Sequence, residues 1–165
     1  MQLLVVRHGI AEERETWAPR DDALRPLTES GKKKMKEAAK GLQAVLPRLD
    51  LLASSPLTRA MQTAAILSKV YQKGEPLQVD ALAPGQRPAG FATWLRAQAT
   101  HKTVAAVGHE PSLGAIVSWF AAGIERSFVE LGKGGACLLD FGDRIDAGEA
   151  MLLWVLRPSQ LRALD

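Results

Sequence analysis

The chain has 165 residues, 47% hydrophobic and 24% charged, which suits one globular domain over residues 1–165 and leaves too little chain for two. A formal charge of +3 and a pI near 9.2 are mildly basic, yet only 5% of residues are aromatic. With so few stacking platforms and no motif of a nucleic-acid module, an acidic or phosphorylated partner suits that balance better than nucleic acid does.

No apolar run approaches the roughly 20 residues of a membrane span, and no basic-then-apolar leader opens the chain. The single cysteine, Cys137, lies in an apolar run and reads as a buried thiol. The expectation is a cytoplasmic protein with neither membrane nor nucleic acid among its partners.

Leu3 to Val6 is an apolar run that ends abruptly in Arg7-His8-Gly9. It reads as a buried strand delivering a cation and an imidazole to its C-terminal edge, where open α/β sheets bind ligands. Gly9 lets the backbone approach such a ligand closely. Residues 10–22 are polar and aperiodic, either a loop that touches substrate or a surface loop anchored by Trp17. Thr28 suits an N-cap and Glu29 the first turn of a helix whose Met35, Ala38, Ala39, Leu42, Val45 and Leu46 recur at helical spacing until Pro47. Its other side carries Lys32, Lys33, Lys36 and Lys40. Lysines near a helix N-terminus oppose the dipole by roughly a few tenths of a kcal/mol each. They read as a solvated face, with a docking patch for an acidic partner as the alternative.

A second strand runs from about Leu49 to Ala53. A helix starting at Pro56 then places Arg59 in its first turn, where backbone N–H groups favour an anion. Leu77 to Leu82 reads as a third strand, and Phe91, Trp94 and Leu95 mark an amphipathic helix after a breaker-rich loop. His101 falls in a polar turn and reads as a surface residue. Val104 to Val107 repeats the opening design and ends in Gly108-His109, with Pro111 starting a helix striped by Leu113, Ile116, Val117 and Phe120. Glu110 reads as a charge partner for that helix end, or as a proton donor. The tail reads as antiparallel strands at about 128–131, 136–141 and 150–156, closed by a short helix holding Leu161 and Leu164.

Three times a buried strand ends in a cation or an imidazole. Two arginines can clamp a phosphoryl group through bidentate hydrogen bonds, leaving a histidine free for covalent work. A second histidine, kept cationic by the phosphate, would stabilise the equatorial oxygens. The result is a phosphoryl-transfer site that asks for no metal or cofactor. Alternating strands and helices predict an α/β domain with a mostly parallel sheet. A dinucleotide fingerprint, a P-loop and an HExxH zinc helix are all absent from the sequence.

Arg7-His8-Gly9, Ser55 to Ala64, Val107-Gly108-His109 and Arg25 to Gly31 together resemble the signatures of the histidine phosphatase superfamily. The resemblance implies a phosphoglycerate-mutase-like, three-layer α/β/α sandwich around a mixed, mostly parallel sheet. It also implies a phospho-His8 intermediate, with Arg7, Arg59, His109 and Gly9 around the phosphate. The short chain is similar to the SixA-like branch, the phosphohistidine phosphatases, whose partners are histidine-phosphorylated signalling or phosphotransfer domains.

One departure stands out. Many members carry a glutamate just after the third strand to protonate an alkoxide, whereas Val79-Asp80-Ala81-Leu82-Ala83 places alanine there. Asp80 and Glu110 are the candidate acids, with Glu12 and Glu13 behind them. An imidazole leaving a phosphoramidate needs far less help than an alkoxide, for which an acid gives typically about 10²- to 10⁴-fold. The gap favours phosphohistidine. The alternatives are a small-molecule phosphomonoesterase and a non-catalytic module that holds phosphoproteins.

Overall fold

The computed structural model describes all residues from Met1 to Asp165. One six-stranded sheet has the order β3-β2-β4-β1-β5-β6, formed by β1 (Gln2–Arg7), β2 (Leu51–Ser54), β3 (Leu77–Gln78), β4 (Thr103–Gly108), β5 (Ala136–Phe141) and β6 (Ala150–Leu156). The first four strands are parallel, β5 adds antiparallel to β1, and β6 adds antiparallel to β5. Helices α1 (Arg14–Trp17), α2 (Glu29–Val45), α3 (Thr58–Tyr71), α4 (Pro88–Arg96), α5 (Ser112–Ala122) and α6 (Pro158–Arg162) complete the chain.

The opening strand shows why the sheet is covered twice. Leu3 and Val5 pack on one face with Phe91, Leu95, Ile116 and Phe120 of α4 and α5. Leu4 and Val6 pack on the other with Met35, Leu42, Ala64, Leu67 and Leu161 of α2, α3 and α6. All four are fully buried, as the two-residue period requires of a central strand flanked by two helical layers. The fold is a three-layer α/β/α sandwich. Cys137 lies in the first of these cores, and burial pushes its thiol up to about 12.

The layers also place the functional edge. After β1 the chain crosses to one face through α2, and after β4 to the other through α5, while β1 and β4 lie side by side. Such a reversal opens a crevice at the strands' carboxyl ends. Thr28 caps α2, its hydroxyl accepting from Gly31 N at 2.9 Å. Gly31 lies so close to the Ile10 carbonyl that a β-carbon would collide with it, which packs the start of α2 against the segment leaving Gly9.

Several elements differ from the sequence expectation. The third strand stops at Gln78, because Val79 and Leu82 share an i, i+3 spacing and a 3-10 turn over Asp80–Leu82 buries both. Helix α3 starts at Thr58 rather than Pro56, because Ser55 N still donates to Val107 O and continues the β2 ladder. Residues 128–131 form no strand. There Phe128 N donates to Ser118 Oγ, Leu131 N to Glu110 Oε1, and the Leu131 carbonyl accepts from Arg7, so side chains take the bonds that a neighbouring strand would need. Residues 10–22 contain α1, with Trp17 half-buried under Arg20 at 4.8 Å. Leu161 is buried, whereas Leu164 is 45% exposed. No helix is long and apolar enough to cross a membrane.

Candidate active site

His8 follows the last residue of β1, its N–H donating to Gly108 O at 3.0 Å, and His109 follows β4. Their rings lie 5.0 Å apart, centre to centre. Both are nearly buried, at 7% and 3% exposure. His8 Nδ1 lies 2.7 Å from Gly9 O. A carbonyl can only accept, so Nδ1 carries the proton and Nε2 presents its lone pair. Burial, reinforced by Arg59, Arg7 and Arg25, pushes the His8 pKa down to about 4 despite the Gly9 hydrogen bond. The ring is a neutral nucleophile at neutral pH.

His109 Nε2 lies 2.8 Å from Ser55 Oγ, which also accepts from Leu57 N. The Ser55 hydroxyl can donate to Nε2 while it accepts from Leu57 N, an arrangement that puts the proton of a neutral His109 on Nδ1. Burial, with His8 and Arg59 nearby, pushes its pKa down to about 3. The expected imidazolium depends on a bound phosphate; burial alone favours the neutral ring, which can donate through Nδ1–H.

Arg59 sits in the first turn of α3 at 3% exposure. Its Nη1 donates to Asp22 O at 2.8 Å and its Nη2 meets Asp22 Oδ2 at 3.1 Å. Arg7 Nη1 donates to Leu131 O at 2.6 Å. Gly9 N donates to Thr63 Oγ1, whose hydroxyl donates to Arg59 O, tying the β1 turn to α3. Three buried side-chain nitrogens in the molecule have no partner: Arg7 Nε, Arg59 Nε and His109 Nδ1. Buried donors left unpaired cost about 1–3 kcal/mol each. An anion with several acceptor oxygens would satisfy them.

No candidate acid makes a side-chain bond to His8 or His109. Glu110 Oε1 accepts from Leu131 N at 2.8 Å and Oε2 from Gly114 N at 3.1 Å, so it braces α5 and the loop that holds Arg7. Asp80 is exposed, with no hydrogen bond or ion pair to Arg7, His8, Arg59 or His109. Glu13 is exposed and Glu12 half-buried; the Glu12 backbone carbonyl accepts from Arg25 at 2.6 Å. No group of three His, Cys, Asp or Glu side chains is arranged to hold a metal ion. His101 lies near the opposite end of β4, against Gln98 O.

Two contributors went unassigned in the sequence reading. Asp22 accepts from Arg25 Nε at 2.8 Å as well as from Arg59, and the arginines hold its carboxyl below the usual range against the opposing effect of burial. Arg25 is 9% exposed and adds a third guanidinium beside His8. The Arg25-Pro26-Leu27-Thr28 motif was the available signal for Arg25. Nothing local marks Asp22 among the acids of the loop.

The family model of the histidine phosphatase superfamily (branch 1) matches residues 3–83. The chain belongs to the histidine phosphatase superfamily. It is 35% identical over 137 residues to an uncharacterised protein of Picosynechococcus sp., covering 82% of each chain. The structure of the protein histidine phosphatase SixA complexed with tungstate superposes with a TM-score of 0.84 at 21% identity, over 98% of this chain and 99% of that one. The alpha-ribazole phosphatase of Shigella flexneri superposes with a TM-score of 0.78 at 16% identity, over 96% and 97%. Both likenesses are of fold. Family membership makes the chain a phosphatase and leaves its substrate to the chemistry of the site.

Proposed function

We propose that the chain is a phosphohistidine phosphatase acting on histidine-phosphorylated signalling or phosphotransfer proteins. The observation that carries this reading is the set of three unpartnered donors around His8, with Glu110 and Asp22 engaged by backbone N–H groups and arginines and with no carboxylate bonded to either histidine. The donors suit a phosphoryl group, and the missing acid suits a leaving group that needs none.

His8 Nε2 attacks phosphorus in line, and the P–N bond to the partner's imidazole breaks with its electron pair going to that nitrogen. Because the ring's other nitrogen takes a proton from solvent beforehand, the imidazole leaves neutral. Arg7, Arg59 and His109 Nδ1–H hold the phosphoryl oxygens as charge shifts between nucleophile and leaving group. Gly9 keeps the proton on His8 Nδ1. Water then attacks phospho-His8, the P–Nε2 electrons return to the ring, and the proton lost from water goes to solvent with the released phosphate.

The test is phosphate release from a histidine-phosphorylated phosphotransfer domain and from an alkyl ester such as glycerol phosphate, whose alkoxide needs a proton to leave, without added metal, for wild type and His8→Ala. Fast, His8-dependent release from the protein with poor ester turnover is expected. Efficient ester hydrolysis would favour a small-molecule phosphatase, a reading that the likeness to alpha-ribazole phosphatase keeps in play. Glu12 would then be the first acid to test, being half-buried beside Arg25. Phosphoprotein binding that survives His8→Ala, with no release by wild type, would instead mark a non-catalytic module.

A further inference from the structure

Helices α2 and α3 run in the same direction from the catalytic edge, and between them lies an open groove of about 540 Å³. Lys32, Lys33 and Lys36 of α2 and Lys69 of α3 line its walls, and Ile66 and Val70 are among the residues of its floor. Those two are half-buried and pack on the core beneath. Glu29 is the one carboxylate in the lining and is already engaged by Lys32 at 2.6 Å. Lys33, Lys36 and Lys69 have no carboxylate within 4.0 Å, so three of the four groove lysines stand uncompensated side by side.

Of the four, Lys32 pairs with Glu29 one turn back and Lys69 suits the last turn of α3, while Lys33 and Lys36 have no ion pair. Lys32, Lys33 and Lys36 are the fourth, fifth and eighth residues of α2, where the helix dipole gives a positive charge no support. Their concentration over a half-apolar floor makes a positive surface with an apolar seam. An amphipathic helix fits such a surface by laying its apolar stripe in the seam and its charges against the walls.

The groove also points at the chemistry. At its near end Gln62 Oε1 accepts from Leu27 N, tying α3 to the segment that carries Arg25. From Arg59 to Val70 is roughly 16 Å of helix, about three turns of a partner lying alongside.

On the reading that the substrate is a phosphorylated protein, we propose that this groove docks an acidic amphipathic helix of that same protein while its phosphohistidine reaches His8. Carboxylates on the helix meet Lys33, Lys36 and Lys69, and apolar side chains cover Ile66 and Val70. The docking sets KM and association rate, and its electrostatic part weakens with salt.

The test is a Lys33→Glu, Lys36→Glu, Lys69→Gln triple variant. Glutamate forms helix as well as lysine at the exposed positions 33 and 36, and glutamine at 69 avoids a negative charge in the last turn of α3, so the variant should fold. Its kcat/KM is compared with wild type on a histidine-phosphorylated phosphotransfer domain bearing an acidic helix and on free phosphoramidate. We expect at least a tenfold loss on the domain at low salt, a flattened salt dependence and unchanged hydrolysis of phosphoramidate. Wild-type turnover of both substrates, with the triple variant equal on the domain, overturns the docking alone, even if the variant has lost binding to anionic vesicles or RNA. Wild type that hydrolyses phosphoramidate but leaves the phosphorylated domain untouched overturns the substrate reading and the docking with it.

Discussion

Replacing Asp22 with asparagine probes the balance on which the arginine clamp rests. Asp22 Oδ2 lies 3.1 Å from Arg59 Nη2 and Oδ1 lies 2.8 Å from Arg25 Nε. One unit-charge pair at the longer distance is worth roughly 5 kcal/mol at an effective dielectric of 20. The Asp22 side chain is 39% exposed, so solvent cuts this to about 1–2 kcal/mol. An amide of the same shape can keep one oxygen on an arginine while losing the charge. Thermal unfolding in phosphate-free buffer should fall by roughly 3–6 °C for a chain of this length. A phosphate dianion, meanwhile, no longer meets a carboxylate across the guanidinium. Inorganic phosphate, measured as a competitive inhibitor of phosphoramidate hydrolysis, should bind on the order of tenfold tighter, equivalent to about 1.4 kcal/mol. Saturating phosphate should close much of the stability gap through linkage. Weaker phosphate inhibition at unchanged stability would refute this reasoning and make Asp22 an orienting group for Arg59.

Acid should destabilise the native state before most carboxylates titrate. His8 and His109 are held near 4 and 3 against an ordinary 6.5, so between about pH 6.5 and 4 the unfolded chain binds protons that the native one refuses. Stability is full above 6.5 and should fall on acidification by about 1 kcal/mol per pH unit for each histidine. Urea midpoints at pH 7, 5.5 and 4.5 measure this, His8→Asn should reduce the slope, and a flat profile would contradict the burial of neutral rings. Glu110→Gln forces an amide NH₂ against the Leu131 or Gly114 N–H, loosening the carbonyl that holds Arg7. A roughly tenfold fall in kcat is expected, of equal size for p-nitrophenyl phosphate and phosphoramidate. A loss that grows with leaving-group basicity would instead make Glu110 a general acid.

Where one short stretch carries its own instruction, the sequence was legible. Leu3 to Val6 alternates between two cores that both exist, Thr28 caps α2 as its side chain and position predict, and β5 and β6 match their periodic runs. It misled where bonds run across the chain. Residues 128–131 have strand-like composition, but Glu110, Ser118 and Arg7 take their backbone groups. The 77–82 run supports two periods, and burial of Leu82 decided for the turn.

The sequence by itself determined which chemical groups stand at strand ends and first helical turns, because hydrophobic period and turn residues act over a few neighbours. That was enough to name Arg7, His8, Arg59 and His109 and the family they belong to. Only the tertiary structure decided how those groups are held. The pairing of Asp22 with Arg59 spans 37 positions, and the Glu110 brace on Arg7 runs through Leu131. The depressed pKa values of both histidines come first from burial, which exists only once the layers close over the sheet. Protonation state, tautomer and unpaired donors are properties of packing, and no local pattern of residues encodes them.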